Sequence, residues 1–411
     1  FQLHNAVLAT KLLNVNHTAE NIAHKLQEIC TEWQIENKIS CIVTDNAANM
    51  IKACNILKKR QLSCYAHTLN LAVQDMLHLD ILKPILGKCK EIVKFFKSST
   101  VASEILKQEQ QAINNNFCKL VQEVPTRWNS YYAMINRILE VADAVNRSLI
   151  NLRNAPLLLT IDEIAILEDV KKMLSCFEEA TKKVSGSSYI TISMIIPLSY
   201  GIYNYLTNLY SDLKTDEGKV ICNKIIHSVT ERLFPYELRS VPRIATVLDP
   251  RFKKVGFRNL ENFNHASALL ELELNSIMKD TSVNVQVEDP KNSEHNFQMN
   301  KKSLFFFIEQ RIKEKGKSIS AEAILIKRQY LERANISEDC DVLDYYKINN
   351  AETNILNHLI FKYLCIPGSS TASERNFSIA GQIVSERRSR LKPENVNILL
   401  FLNRNVWLLD S

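Results

Sequence analysis

Residues 39–50, ISCIVTDNAANM, decide the fold class. The run from Ile39 to Thr44 is short and rich in β-branched residues, the composition of a buried strand. Asp45 stands at its C-terminal end, and Asn46-Ala47-Ala48 opens a helix extending through about Lys58. Upstream, Thr18 is an N-cap with Glu20 in the first turn, and Ile22, Leu26, Ile29 and Trp33 recur at helical spacing. Residues 1–13 contain no acidic residue, glycine or proline and are expected to be extended. Downstream come a short strand near residues 62–65 and a helix from His67 that Pro84 interrupts. Alternation of this kind predicts an α/β core with some parallel pairing.

From about residue 100 to 350 the period changes to 3.6. Met134, Ile138, Val141, Val145 and Leu149 form one stripe. Thr160-x-x-Glu163 is a capping box ahead of Ile164, Leu167, Val170, Leu174 and Phe177. Residues 281–302 are polar and aperiodic and predict a loop or linker. Past 350 the chain returns to compact helices, closing with Pro393 at a helix start and an apolar run at 396–402. The predicted architecture is an α/β core, residues 1–99 and 351–411, interrupted by an all-α insertion at 100–350.

Composition agrees and excludes several enzyme classes. Only 8 of 411 residues are glycine, about 2% where about 7% is usual. No G-x-G occurs, so the phosphate-cradling loops of dinucleotide-binding folds, kinases and P-loop proteins are missing, and no small-molecule cofactor is expected. A net charge of +6, from 51 Lys+Arg against 45 Asp+Glu, permits a polyanionic partner without requiring one. Ten scattered cysteines with no CxxC predict reduced thiols in a cytosolic or nuclear protein. The longest uncharged stretch, residues 184–211, is too polar to span a membrane. Phe1 is preceded by no methionine or signal-like pattern, and the chain reads as a fragment starting in mid-domain.

Five features have the residue types that chemistry needs, and each has a plain structural alternative. Asp45, at a strand end, suits a hard divalent cation and equally suits a helix cap. Glu374 lies in Thr371-x-x-Glu374, itself a capping-box pattern. Cys64-x-x-His67 has half the spacing of a zinc site, but no second pair completes it, so no zinc site is expected. Arg127-Trp128 combines a phosphate contact with a base-stacking surface, while a helical tryptophan is commonly core. Arg387, Arg388, Arg390 and Lys392 could hold a nucleic acid backbone or form a solvated face. The C-terminal residues Val396, Ile398, Leu399, Leu400, Phe401, Leu402 and Trp407 are too many for one short buried stripe, so part of that surface is expected to meet a second copy.

Taken in order, the segments HTAENIAHKLQEICTEWQIENKISCIVTDNAANM, CYAHTLNLAVQ, VPTRWNSYY, IATVLDPRFK and YLCIPGSSTASERNFSIAGQIVSERRSRLKPENVNILLFLNRN resemble the hobo–Activator (hAT) transposases and the zinc finger BED domain-containing proteins derived from them. The resemblance covers nearly the whole chain and is most specific in the last block, which is similar to the family's C-terminal dimerisation region. It implies a ribonuclease-H-like core split by a helical domain. It also implies three acidic residues holding two divalent metals, Mg²⁺ or Mn²⁺, that cut and join DNA strands. Asp45 matches the second acidic residue and Glu374 the third. Cys64 and His67 match a CxxH element near the active site, and Trp128 matches a tryptophan that stacks on a flipped base.

The resemblance places the first acidic residue ahead of Phe1, and residues 1–19 contain neither Asp nor Glu. The expected function is therefore that of a transposase-derived nuclear protein. It binds DNA through Arg127, Trp128, Cys64, His67 and the Arg387–Arg390 cluster. It forms a homodimer or higher homo-oligomer through Val396, Leu399, Leu400 and Leu402, and its acidic site is incomplete. One alternative is an active transposase whose first Asp lies upstream, with metal-dependent strand cleavage and transfer. The other is a domesticated nuclear regulator that binds DNA without cutting it. The segment Asp344-Tyr345-Tyr346-Lys347 departs from a tryptophan-containing stretch of the family and is expected to be a packing segment.

Overall fold

The computed structural model describes residues 2–114, 116–285, 319–384 and 391–409. Its N-terminal part contains α1 (Ala19–Glu32), β1 (Ile42–Thr44), α2 (Ala48–Ile56), β2 (Gln61–Ser63), α3 (Tyr65–Leu77) and α4 (Lys83–Ser98). A long helical series follows: α5 (Thr100–Asn114), α6 (Trp128–Glu140), α7 (Ala142–Ile150), α8 (Ile161–Val184), α9 (Ile195–Leu209), α10 (Asp216–Arg232), α11 (Ser240–Leu248) and α12 (Leu260–Val285). The described chain then resumes with α13 (Ile319–Glu332), α14 (Val342–Ile348), α15 (Asn350–Tyr363), α16 (Thr371–Ile383) and α17 (Pro393–Arg404).

The expected mixed sheet is much reduced. Among the described residues the sheet consists of β1 and β2 alone, parallel, with Ile42 opposite Gln61, Val43 opposite Leu62 and Thr44 opposite Ser63. The N-terminal segment is irregular and pairs with no strand, because its backbone bonds to side chains of the last helix and the residue after it. Val7 N–H donates to Asn405 Oδ1 at 2.9 Å, Asn405 Nδ2 donates to the Val7 carbonyl at 2.8 Å, and Thr10 N–H donates to Asn397 Oδ1 at 2.6 Å. Two asparagine amides thus satisfy backbone groups that a neighbouring strand would otherwise take.

The helices form where capping and periodicity place them. Thr18 caps α1, Pro84 and Pro393 sit in the first turns of α4 and α17, and the Thr160–Glu163 capping box closes reciprocally at 3.2 and 2.9 Å. Leu167, Val170, Leu174 and Phe177 of α8 are fully buried. The stripe from Met134 to Leu149 is buried too, but the chain breaks at Val141 into α6 and α7. Among the described residues the main apolar core draws on side chains between Leu62 and Ile366, with α3 packed on α8 and α10, and Ala19, Ala23 and Ala53 form a separate small cluster. The linker expected at 281–302 begins as helix, since α12 runs to Val285, and its remainder lies outside the described residues.

A knot at residues 248–253 ties the helical layers together. Asp249, wholly buried, accepts Ser193 Oγ at 2.6 Å and the Arg251 guanidinium at 2.7 and 3.0 Å. Lys253 Nζ, equally enclosed, donates to the carbonyls of Tyr330 at 3.1 Å and Arg333 at 2.8 Å, capping the end of α13. Tyr346 Oη donates to the Leu248 carbonyl at 2.5 Å, so Tyr346 packs in the core while Asp344 and Lys347 of the same segment are exposed.

Candidate functional site around Cys64

The two strands end side by side, and the next residue joins them to a distant part of the chain. Cys64 N–H donates to the Thr44 carbonyl at 2.6 Å, and its buried sulfur caps α3 by accepting His67 N–H at 3.4 Å. The same sulfur accepts Ser370 N–H at 3.2 Å, and Tyr65 N–H donates to the Gly368 carbonyl at 3.1 Å. Residues 366–370 are themselves seated in the body: Gly368 N–H donates to Thr191 Oγ1 at 2.9 Å and Ser369 Oγ to the Val184 carbonyl at 2.9 Å. A Cβ on Gly368 would stand 3.1 Å from the Thr191 carbonyl oxygen, which is why this close approach uses glycine.

This junction fixes where the two predicted carboxylates emerge. Asp45 follows Thr44 directly, and Glu374 lies one turn after Ser370. Both are exposed. Asp45 Oδ1 accepts Ala47 N–H at 3.2 Å in a local turn, so Ala47 rather than Asp45 is the N-cap residue of α2. Glu374 Oε1 accepts Ser370 Oγ at 3.3 Å, and no Thr371 capping box forms. Neither carboxylate has an ion-pair partner among the described residues, which leaves an oxygen on each for a cation. Carboxylate oxygen is the ligand type that a hard divalent cation prefers. Among the described residues no group of three or more His, Cys, Asp or Glu side chains is gathered tightly enough to enclose one. Between the two elements lies a cleft of about 290 Å³ lined by His4, Cys41, Val43, Tyr189, Ser370 and Ser373.

The other predicted residues divide by accessibility. Arg127 is exposed and His67 half-buried, so both can meet a ligand. Trp128 is 2% exposed and packs against Tyr132 and Phe177, its backbone N–H donating to Asn70 Oδ1 at 3.0 Å. The stacking role expected for Trp128 therefore does not hold in this conformation, because the indole fills the core between α6 and α8. Cys64 is corrected likewise, since its thiol is enclosed and serves as a hydrogen-bond hub rather than a DNA contact. Arg387, Arg388 and Arg390 lie outside the described residues.

The C-terminal apolar run splits in two. Val396 and Leu400 are buried, whereas Leu399 and Leu402 are 41% and 56% exposed. Ile398, Val406, Leu408 and, on the neighbouring α16, Phe377 are also exposed. Intrachain stacking of His4 on Trp407 and of Trp33 on Phe401 takes up the rest. Sequence reading missed Ser370 as the partner of Cys64, and missed Arg375 and Arg404. For Ser370 the reason is that a hydrogen bond across 306 residues has no local signature.

Three family models match. Residues 1–70 match the ZBED1 RNase-like domain, residues 62–185 the ZBED1 RNase-like helical domain, and residues 326–406 the hAT family C-terminal dimerisation region. The human zinc finger BED domain-containing protein 4 is 25% identical over 98% of this chain and 34% of its own length. The human zinc finger BED domain-containing protein 6 is 29% identical over 65% of this chain and 27% of its own. The transposable element Hobo transposase of Drosophila melanogaster is 28% identical over 48% of this chain and 28% of its own. The chain thus spans about a third or less of the length of these relatives. These matches relate the chain to the zinc finger BED domain-containing proteins and the hAT transposases, with two ZBED1 RNase-like domains followed by the hAT family C-terminal dimerisation region.

Proposed function

We propose that this chain is a transposase-derived nuclear protein that associates with DNA and self-associates through α16 and α17. Its ribonuclease-H-like core would comprise residues 1–99 and 351–411, around a helical insertion at 100–350. The observation that carries the reading is the Cys64 junction, which sets the end of β1 against the start of α16. In this reading Asp45 and Glu374 are two ligands of a divalent cation, Mg²⁺ or Mn²⁺. Such an ion polarises a phosphodiester and favours ionisation of the attacking hydroxyl. The residues of the chain do the positioning: Cys64 holds the two backbones together, and Ser370 orients the Glu374 carboxylate. Exposed Arg127 and half-buried His67 remain available to the DNA.

Two carboxylates leave a metal pair short of ligands, so strand cleavage and transfer by these residues alone should be absent or very slow. The test is Mn²⁺ binding followed by paramagnetic resonance, alongside strand cleavage in Mg²⁺ or Mn²⁺. Asp45→Ala and Glu374→Ala should each weaken Mn²⁺ binding. Equal binding by all three proteins removes these side chains from any metal site. Rapid cleavage that both substitutions abolish would favour an active transposase, with a third carboxylate completing the site. DNA binding that falls steeply with salt, with no metal binding, would favour a non-cutting regulator.

A further inference from the structure

Beside the Cys64 cleft is a smaller polar notch of about 190 Å³, lined by Asn5, Ser187, Arg375, Asn376 and Arg404 with Val7 and Ala372. It shares Asn5, Ser187 and Ala372 with the larger cleft. Two arginines line it, one from each of α16 and α17, and no carboxylate residue does. Neither arginine has an ion-pair partner among the described residues. The Nε of Arg404 is buried without a hydrogen-bond partner, as are six other side-chain atoms among the described residues, and it is open to an acceptor. The notch is also built firmly. Asn405, next to Arg404, brackets the Val7 backbone through two hydrogen bonds and so holds the 5–7 segment as one wall. Arg375 sits just past the first turn of α16, where the helix N-terminus adds partial positive charge that offsets the neighbouring Glu374.

We propose that this notch binds a phosphate group, with Arg375 and Arg404 as paired donors and Asn5, Asn376 and Ser187 completing the shell. Two planar guanidiniums repel a cation and match an oxyanion, and a phosphate group has enough oxygens to engage both at once. Its place next to Glu374, and against the cleft with which it shares three lining residues, names the source as a DNA backbone phosphodiester, a step that rests on the DNA-binding reading above. The notch would then hold the strand at a fixed distance from the carboxylates and set its register.

The experiment has two arms on the full chain. In the first, thermal unfolding is followed with inorganic phosphate replacing chloride at constant ionic strength. Phosphate should raise the midpoint of the wild type, leave that of Arg375→Gln unchanged, and have an intermediate effect on Arg404→Lys. Arg375 is exposed, so its substitution leaves the fold intact, which circular dichroism checks. In the second arm, affinity for a duplex oligonucleotide is measured against salt. Loss of one phosphate contact should lower the slope of log K against log salt by about 0.9. Phosphate protection that Arg375→Gln abolishes, together with the reduced slope, supports the proposal. Protection with an unchanged slope overturns the DNA backbone as source and leaves a free-phosphate site. Absence of both effects overturns the notch as a phosphate site, even where wild-type DNA binding stands. If the wild type does not bind DNA at all, the DNA reading fails on its own account.

Discussion

Replacing Cys64 by alanine should loosen the junction on which the candidate site depends. The sulfur is wholly enclosed and accepts two backbone N–H groups, His67 at 3.4 Å and Ser370 at 3.2 Å. Loss of a helix N-cap costs about 0.5–2 kcal/mol, and a buried N–H left without an acceptor costs about 1–3 kcal/mol. Sulfur is a weak acceptor, so the sum belongs in the lower half of that range, about 2–3 kcal/mol. The loss should be concentrated at the starts of α3 and α16 rather than spread through the core. Amide hydrogen exchange reads each share at its own site, and protection at Ser370, whose part-buried bond accounts for about 1–2 kcal/mol of the sum, should fall about 5- to 30-fold at about 1.36 kcal/mol per decade. Protection within α8 and α10 should change little. Cys64→Ser keeps an acceptor of shorter reach and should lose less. Unchanged exchange at Ser370 in Cys64→Ala would refute the claim that this thiol holds the start of α16 against the start of α3.

Three further outcomes follow from the packing. Lys253 is 1% exposed, and its burial, with Arg333 adding, lowers its pKa to about 8. Between pH 8 and about 10.4 the unfolded chain keeps a proton that the folded chain has released, so this group makes stability rise with pH across that window. Urea midpoints of the wild type and Lys253→Met should therefore diverge there, and parallel curves would contradict the assignment. Gly218→Ala would set a Cβ 2.5 Å from Asp169 Oδ2 and 2.7 Å from Thr215 Oγ1. Disturbing that cap of α10 should cost about 1–3 kcal/mol, while Gly201→Ala, with nothing within 4 Å of the added carbon, should gain up to about 1 kcal/mol by denaturant titration. Leu402→Asp, on an exposed side chain, should shift sedimentation toward monomer without loss of helicity. Leu400→Ala, at a fully buried one, should destabilise the fold by about 2–5 kcal/mol; a monomer shift in Leu400→Ala alone would invert the two faces.

Local order was legible in the sequence wherever a residue acts on its near neighbours. Thr18, Thr160 and Pro393 mark helix starts, and the α8 stripe from Leu167 to Phe177 marks a core face, because capping and 3.6-residue periodicity act within a few positions of the chain. The order of motifs likewise pointed to the hAT and zinc finger BED relatives. What the string of residues could not convey is competition between distant partners. The N-terminal segment has the composition of a strand, yet Asn397 and Asn405, nearly four hundred positions away, occupy its backbone groups. Trp128 offers a stacking surface in isolation, and only the approach of α8 with Phe177 makes it core. Cys64 looks like half a zinc site until Ser370 arrives at its sulfur. In each case the deciding energy is a hydrogen bond or a buried area created by folding itself, and it exists only once the partner is in place.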